Sequence, residues 1–280
     1  MIVLSTGTLY NYGIARVFAM AAEIGFDGLE VMVDDRWDTR QAAYLRSLAG
    51  KHGLPIIAMH SPFVTRVQGW PDDQWARVQY TVVLARRVGA RVVIAHLPFR
   101  IYGVVGHIHG WNQPHFRLPL PVPWPRREMY YYALRDGGLE KLELDSGVTI
   151  AVENMPAMRM LGRRTSGVWF NRPEELQRFP HLTLDTTHLA TWGLDPLEIY
   201  DQLKGRVAHV HLSNFDGQEH RSPPDGAMRL DLLLRQMATD GYQGAISVEG
   251  SPDALHAENE RRCRAALRRA LAYCQEHFAR

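Results

Sequence analysis

Apolar positions along the chain follow two alternating rhythms. Runs of five or six residues rich in Val, Ile and Ala recur as IVLST from Ile2, GLEVMV from Gly28, PIIAMH from Pro55 and RVVIAH from Arg91. They continue as VTIAVE from Val148, HLTLD from His181, VAHVH from Val207 and AISVE from Ala245. These read as eight strands. Between most of them the period changes to that of a helix. Residues 14–24 gather Ile14, Val17, Phe18 and Ala21 on one face and stop at Gly25. Residues 73–88 do the same with Trp75, Val78, Val82 and Ala85 before Gly89. A last helix is expected from about Glu258 to about Glu276, with Ala266, Leu267, Ala270 and Leu271 inward and Arg261, Arg262, Arg264 and Arg268 toward solvent. Strand alternating with helix eight times predicts an α/β fold, a parallel (β/α)8 TIM barrel. The rival is an open doubly wound sheet, but no glycine-rich phosphate turn follows the first strand.

One stretch breaks the rhythm. RIYGVVGHIHGWNQPHFRLPLPVPWPRR, from Arg100 to Arg127, holds five prolines and cannot form a regular helix. An insertion of this length after the fourth strand is expected to sit over the barrel mouth as a lid. Its His107, His109 and His115 form a weak metal signal, because no third fixed ligand accompanies the HxH pair.

The chain has 280 residues, 46% of them hydrophobic, a length ordinary for one α/β barrel, so residues 1–280 are expected as a single domain. No apolar run reaches 18 residues, and MIVLSTGTLYNYG has no leader pattern; a soluble cytoplasmic protein with no membrane partner is expected. Cys263 and Cys274 fall on one expected helix, about 16 Å apart along its axis, too far for a disulfide. The 29 Arg and 3 Lys are interspersed with 30 acids for a formal charge of +2, which gives no stripe for nucleic acid.

The strand ends change the picture. The third to eighth strands end on His60, His96, Glu153, Asp185, His211 and Glu249, all metal-ligand types, at the end of a barrel where chemistry resides. With a period of two, Ala58, Ile94, Ala151, Thr183, His209 and Ser247 face the axis one layer below. Most are small; His209 is expected as a hydrogen-bonded interior histidine. Taken singly, each strand-end residue has an ordinary structural explanation. Together they bury three carboxylates at one mouth without a counter-charge, costing several kcal/mol per ion unless a divalent cation is bound. The oxygen-rich set suits Mn²⁺, Mg²⁺, Co²⁺ or Zn²⁺, and His60 with His96 would offer a second, nitrogen-rich site for zinc.

The motifs FDGLEV from Phe26, MHSPF from Met59, AVENMP from Ala151, LDTTHLATWG from Leu184, HVHLSNFDG from His209, SPPDGAMRLD from Ser222 and GYQGAISVEGSP from Gly241 stand together in this order. On them the chain resembles the xylose-isomerase-like TIM-barrel superfamily, which includes sugar-phosphate isomerases and epimerases, inosose dehydratases, hydroxypyruvate isomerases and endonuclease IV. The resemblance covers most of the chain apart from roughly residues 100 to 145. It implies Glu153, Asp185, His211 and Glu249 as a single-metal set, with Glu153 and Glu249 trading protons across the substrate. It implies His188 as a contact to substrate oxygen and Glu30 as a carboxylate behind the ligands, counted with Trp111 and Arg221 among the residues around the substrate. His60 and His96 correspond to further ligands in the nuclease branch. That branch carries an Asp-x-His pair after the seventh strand, whereas here Gln218 stands two before His220.

The expected activity is therefore a metal-dependent sugar, sugar-phosphate or polyol isomerase or epimerase, working by proton transfer through an enediolate. Zinc-dependent phosphodiester hydrolysis of the endonuclease IV type and dehydration of a cyclic polyol ketone are the alternatives. The expected partner is a small sugar or polyol, not nucleic acid, and homo-oligomerisation is left open. Specificity would lie in the loops, with Trp111, Phe116, Trp124 and Arg221 as candidate contacts.

Overall fold

In the computed structural model the strands are β1 (Ile2–Ser5), β2 (Gly28–Met32), β3 (Ile56–His60), β4 (Val92–Ala95), β5 (Ile101–Val105) and β6 (Arg117–Pro123). They continue as β7 (Thr149–Glu153), β8 (Ala157–Met160), β9 (Arg163–Ser166), β10 (Leu182–Asp185), β11 (Val207–Leu212) and β12 (Ala245–Val248). The structure describes residues 1–63, 67–105, 117–123, 129–160 and 162–279, and only the backbone course of 101–105 and 117–123. Eight strands close a parallel barrel in the order β1-β12-β11-β10-β7-β4-β3-β2. All eight are runs foreseen in the sequence; His96 and Glu249 stand one residue beyond β4 and β12. The other four form two antiparallel ribbons, β5 with β6 and β8 with β9, that the sequence pattern did not announce.

The helices are α1 (Ile14–Ile24), α2 (Ala42–His52), α3 (Gln74–Val88), α4 (Met129–Arg135) and α5 (Gly138–Ser146). After them come α6 (Pro173–Leu176), α7 (Thr186–Trp192), α8 (Pro196–Leu203), α9 (Leu230–Thr239) and α10 (Glu260–His277). Their ends follow local chemistry. Asp73 caps α3 by accepting from the Ala76 amide at 2.8 Å, and Gly89 closes it at φ +82°. α10 buries Ala266, Leu267, Ala270 and Leu271 as expected, together with the unpaired Cys263 and Cys274.

Alternation along the strands divides two compartments. Leu182, Leu184, Val210, Leu212, Ile246 and Val248 pack outward against the helices in the apolar core. Ala58, Ile94, Ala151, Thr183, His209 and Ser247, buried to 1% or less but outside that cluster, fill the barrel. The barrel interior is therefore small and partly polar directly beneath the strand ends. No described helix is long and apolar enough to cross a membrane.

Candidate active site

The four residues expected as one ligand set do converge. Glu153, Asp185, His211 and Glu249 each offer an atom within 4.8 Å of the others, and the strands that carry them are neighbours in the ring from β7 to β12. His211 is the hub. Its Nδ1 lies 3.1 Å from Glu153 Oε1 and 3.0 Å from Glu249 Oε2, while Nε2 lies 3.0 Å from Glu30 Oε2 on the other side. Burial alone would lower the His211 pKa, but Glu249, Glu30 and Glu153 outweigh it and raise it well above the ordinary histidine value. The same contacts work in reverse on the carboxylates. Burial pushes Glu153 and Glu249 up, yet His211 holds Glu249 below, and His211 with His96 hold Glu153 well below, the usual range.

Asp185 explains why its strand stops where it does. It is the last residue of β10 and also the N-cap of α7, its Oδ1 accepting the His188 amide at 2.8 Å. Its Oδ2 is buried and makes no hydrogen bond among the described residues. Burial raises its pKa to about 6, against the pull of His188 and His220. An orphaned buried carboxylate oxygen, converging with two more carboxylates and an imidazole, is the donor set a divalent cation fits.

Asn154, which no strand-end pattern marks, clamps this corner. Its side chain accepts from the Asp185 amide at 2.8 Å and donates to the Asp185 carbonyl at 3.0 Å. Its own carbonyl accepts from His188 Nδ1 at 2.8 Å. His188 thus sits in the first turn of α7, 7% exposed, with Nε2 left for the site. His60 donates Nδ1–H to the Ser61 carbonyl at 2.8 Å, and His220 directs Nδ1 to the Glu249 carbonyl at 3.3 Å. Carbonyl acceptors hold the Nδ1–H of these three rings, which leaves Nε2 as the nitrogen that can reach a cation or substrate, an arrangement common among metal-binding histidines.

Two further groups meet around the same centre. Glu153 Oε2 lies 3.3 Å from His60 Nε2 and 3.0 Å from His96 Nε2, so Glu153 stands between this pair and His211. His96 carries the exposed ring of Phe63 stacked on it at 5.2 Å. Asp185, His188 and His220 form the other group. His220 was not singled out because its position depends on loop geometry: φ is +57°, and the Asn214–Arg221 bridge folds the loop back toward the mouth. Gln218, at the loop's exposed turn, is not part of it.

Glu30 is fully buried below the ligands, with its oxygens engaged by Ser5, His209 and His211. This corrects its grouping with the substrate contacts, because a carboxylate one layer down reaches substrate only through His211. Arg221 is half-buried beside the mouth, Nε 3.0 Å from Asp216 Oδ2 without hydrogen-bond alignment. Trp111 falls outside the described residues, as do His107, His109, His115, Phe116 and Trp124 and most of the expected lid.

The family profile for xylose isomerase-like TIM barrels matches residues 18–274. The chain belongs to the xylose isomerase-like TIM barrel family. Uncharacterized proteins of Mycobacterium tuberculosis and Mycobacterium bovis are each 26% identical to this family member over 302 residues, covering 99% of this chain and 97% of theirs. Among solved structures, a 3-keto-D-glucoside 4-epimerase from E. coli aligns with TM-score 0.67 and 17% identity, over 99% of both chains. A D-tagatose 3-epimerase-like protein aligns with TM-score 0.64 and 19% identity, again over 99% of both. An AP endonuclease, family 2, from Brucella melitensis aligns with TM-score 0.62 and 17% identity, over 90% of this chain and 93% of that one. At these identities the structural likeness is one of fold.

Proposed function

We propose that the chain is a divalent-metal-dependent isomerase or epimerase of a sugar, sugar phosphate or polyol derivative. The observation that carries this reading is the pair Glu153 and Glu249, which approach His211 Nδ1 at 3.1 and 3.0 Å from strands separated in the ring by β10 and β11. Two carboxylates on different sides of one centre are what proton removal from one face and return to another requires. The epimerase names among the fold neighbours, one of them a D-allulose 3-epimerase in complex with D-allulose, support the same choice.

Glu153, Asp185, His211 and Glu249 would hold the cation, which polarises a substrate carbonyl and makes the proton on the adjacent carbon acidic. Glu153 or Glu249 takes that proton to give an enediolate, and the partner returns one at the other carbon or face. His188 has Nδ1–H committed to Asn154, so its Nε2 accepts a substrate hydroxyl when the ring is neutral and donates to a developing oxyanion when it is cationic. Arg221 would bind a distal hydroxyl or phosphate. Replacing Glu249 with Gln should cut solvent-deuterium incorporation at the ketose carbon by about 10²- to 10⁴-fold. Exchange at the wild-type rate, followed by proton NMR, removes Glu249 from its role.

A second reading, zinc-dependent phosphodiester hydrolysis, draws on Glu153 standing between the two groups. Nδ1–H of His60 is held by Ser61, so its Nε2 lone pair faces Glu153 Oε2 across 3.3 Å, and two acceptors so close need a proton or a cation between them. Metal analysis separates the readings. One loosely held Mn²⁺ or Mg²⁺ per chain supports the isomerase, whereas two or three tight zinc ions, reduced by replacing His60 and His96, support the hydrolase.

A further inference from the structure

His211 has two ring nitrogens and a carboxylate on each side, so something must decide which nitrogen faces the cation. The deciding contacts lie beneath the ligand layer. His209 and His211 are two residues apart on β11 and therefore point into the barrel together. Glu30 reaches them from β2, which is separated from β11 in the ring by β1 and β12. Glu30 Oε2 accepts from His209 Nε2 at 2.7 Å and from His211 Nε2 at 3.0 Å, while Oε1 accepts from the Ser5 hydroxyl at 2.9 Å. All four side chains are wholly buried.

We infer that His209 is a positioning residue for the metal site, locking Glu30 so that His211 keeps its proton on Nε2 and presents Nδ1 to the cation. The chemistry admits few alternatives. A carboxylate with no exposure is tolerated only if its oxygens are fully paired. Ser5 holds one oxygen, and the other is shared by the two histidines. His209 makes the shorter contact, and among the described residues its Nδ1 has no hydrogen-bond partner, so Glu30 is its sole polar attachment there. Without that donor, the oxygen facing His211 is free to turn. The Nε2–H of His211 then loses a fixed acceptor, and the ring can rotate or exchange tautomers. Contacts behind a metal-bound histidine commonly change metal affinity by about 10- to 100-fold. The interior histidine two residues before a ligand thus acquires a function that its burial alone does not suggest.

This inference rests on His211 being a ligand, and its test separates the two claims. Wild type, His209→Leu and His209→Gln are stripped of metal and titrated calorimetrically with Mn²⁺. Leu fills the space without a donor, while Gln returns an N–H near the position of Nε2. Mn²⁺ affinity should fall about 10- to 100-fold in His209→Leu and recover to within about fivefold of wild type in His209→Gln. Near-UV circular dichroism checks that both variants keep the native packing. Equal affinity in wild type and His209→Leu overturns the positioning role while leaving the site intact, as does a Gln variant no better than Leu. Absence of Mn²⁺ binding in wild type overturns the ligand assignment and this inference with it. Should His209→Leu not fold, two-bond ¹⁵N NMR on Mg²⁺-loaded wild type decides the matter. It should show His211 protonated at Nε2, and protonation at Nδ1 refutes the lock.

Discussion

The two ends of this barrel are built from the same strands and treat charge in opposite ways. At the N-terminal end a groove of about 650 Å³ is lined by Thr149, His181, Tyr200, Lys204, Asp240 and Tyr242. Its charges are paired locally: Lys204 with Asp201 and Asp240 at 2.9 and 3.3 Å, and His181 with Glu143 at 2.8 Å. At the C-terminal end Glu153, Asp185 and Glu249 converge on one histidine, and Asp185 keeps an oxygen with no hydrogen bond. The groove has satisfied chemistry, and the strand-end cluster has unsatisfied chemistry. A buried carboxylate oxygen left without a partner marks a candidate site in a way that a groove with paired charges does not.

That contrast can be broken most strongly at Asp185. Asp185→Asn should weaken Mn²⁺ binding by at least about 100-fold, since it removes one of the converging carboxylates. The same change should stabilise the metal-free protein at pH 8 by about 2 kcal/mol. The sign follows from the raised pKa of about 6. A carboxyl raised in the folded state contributes stability that is complete below its ordinary value near 4 and is lost as pH rises through about 6. The gain from Asn should therefore shrink as pH falls from 6 toward 4. Denaturant melts of both proteins across this range check it, and a destabilised Asn variant at pH 8 contradicts the burial cost assigned to the Asp185 carboxylate.

A smaller effect is expected from pH alone. The raised pKa of His211 means that the metal-free site holds a proton on this ring at neutral pH, and that its stabilising contribution is lost as pH rises through the raised value. Cation binding must displace that proton. Mn²⁺ affinity should accordingly increase between pH 6 and pH 8, with proton release measurable by calorimetry in buffers of different ionisation enthalpy. Affinity independent of pH would place the cation elsewhere. The smallest effect belongs to the other end: Lys204→Met should leave Mn²⁺ affinity and turnover within about twofold of wild type, because exposed ion pairs contribute little. A large loss there would give the groove a functional part.

The sequence exposed much of this because burial and chemistry share a period. A strand of period two that ends on Asp185 or His211 announces both its inward face and a metal-ligand residue type at the mouth, so the eight barrel strands and the six polar strand ends were legible together, while the set of four among them was what the family resemblance implied. Where position depends on backbone course instead, the signal vanishes. His220 reaches the mouth through a left-handed backbone and the Asn214–Arg221 bridge, and Asn154 acts through both its side chain and its carbonyl. Neither leaves a periodic trace. Glu30 was legible as a buried carboxylate, but its depth was not, since that depends on reaching across the barrel to His209 and His211. The β8–β9 ribbon was missed because it lacks the Asn-Gly or Asp-Gly turn by which short hairpins are recognised.

The central claim is that Glu153, Asp185, His211 and Glu249 form a cation site. It is tested most directly by titrating the metal-free 280-residue chain with Mn²⁺ at pH 7.5 and counting bound ions by electron paramagnetic resonance. A saturable Mn²⁺ site is expected in wild type, lost in Asp185→Asn and kept in Lys204→Met. No bound Mn²⁺ in wild type, or binding that survives Asp185→Asn undiminished, would contradict it.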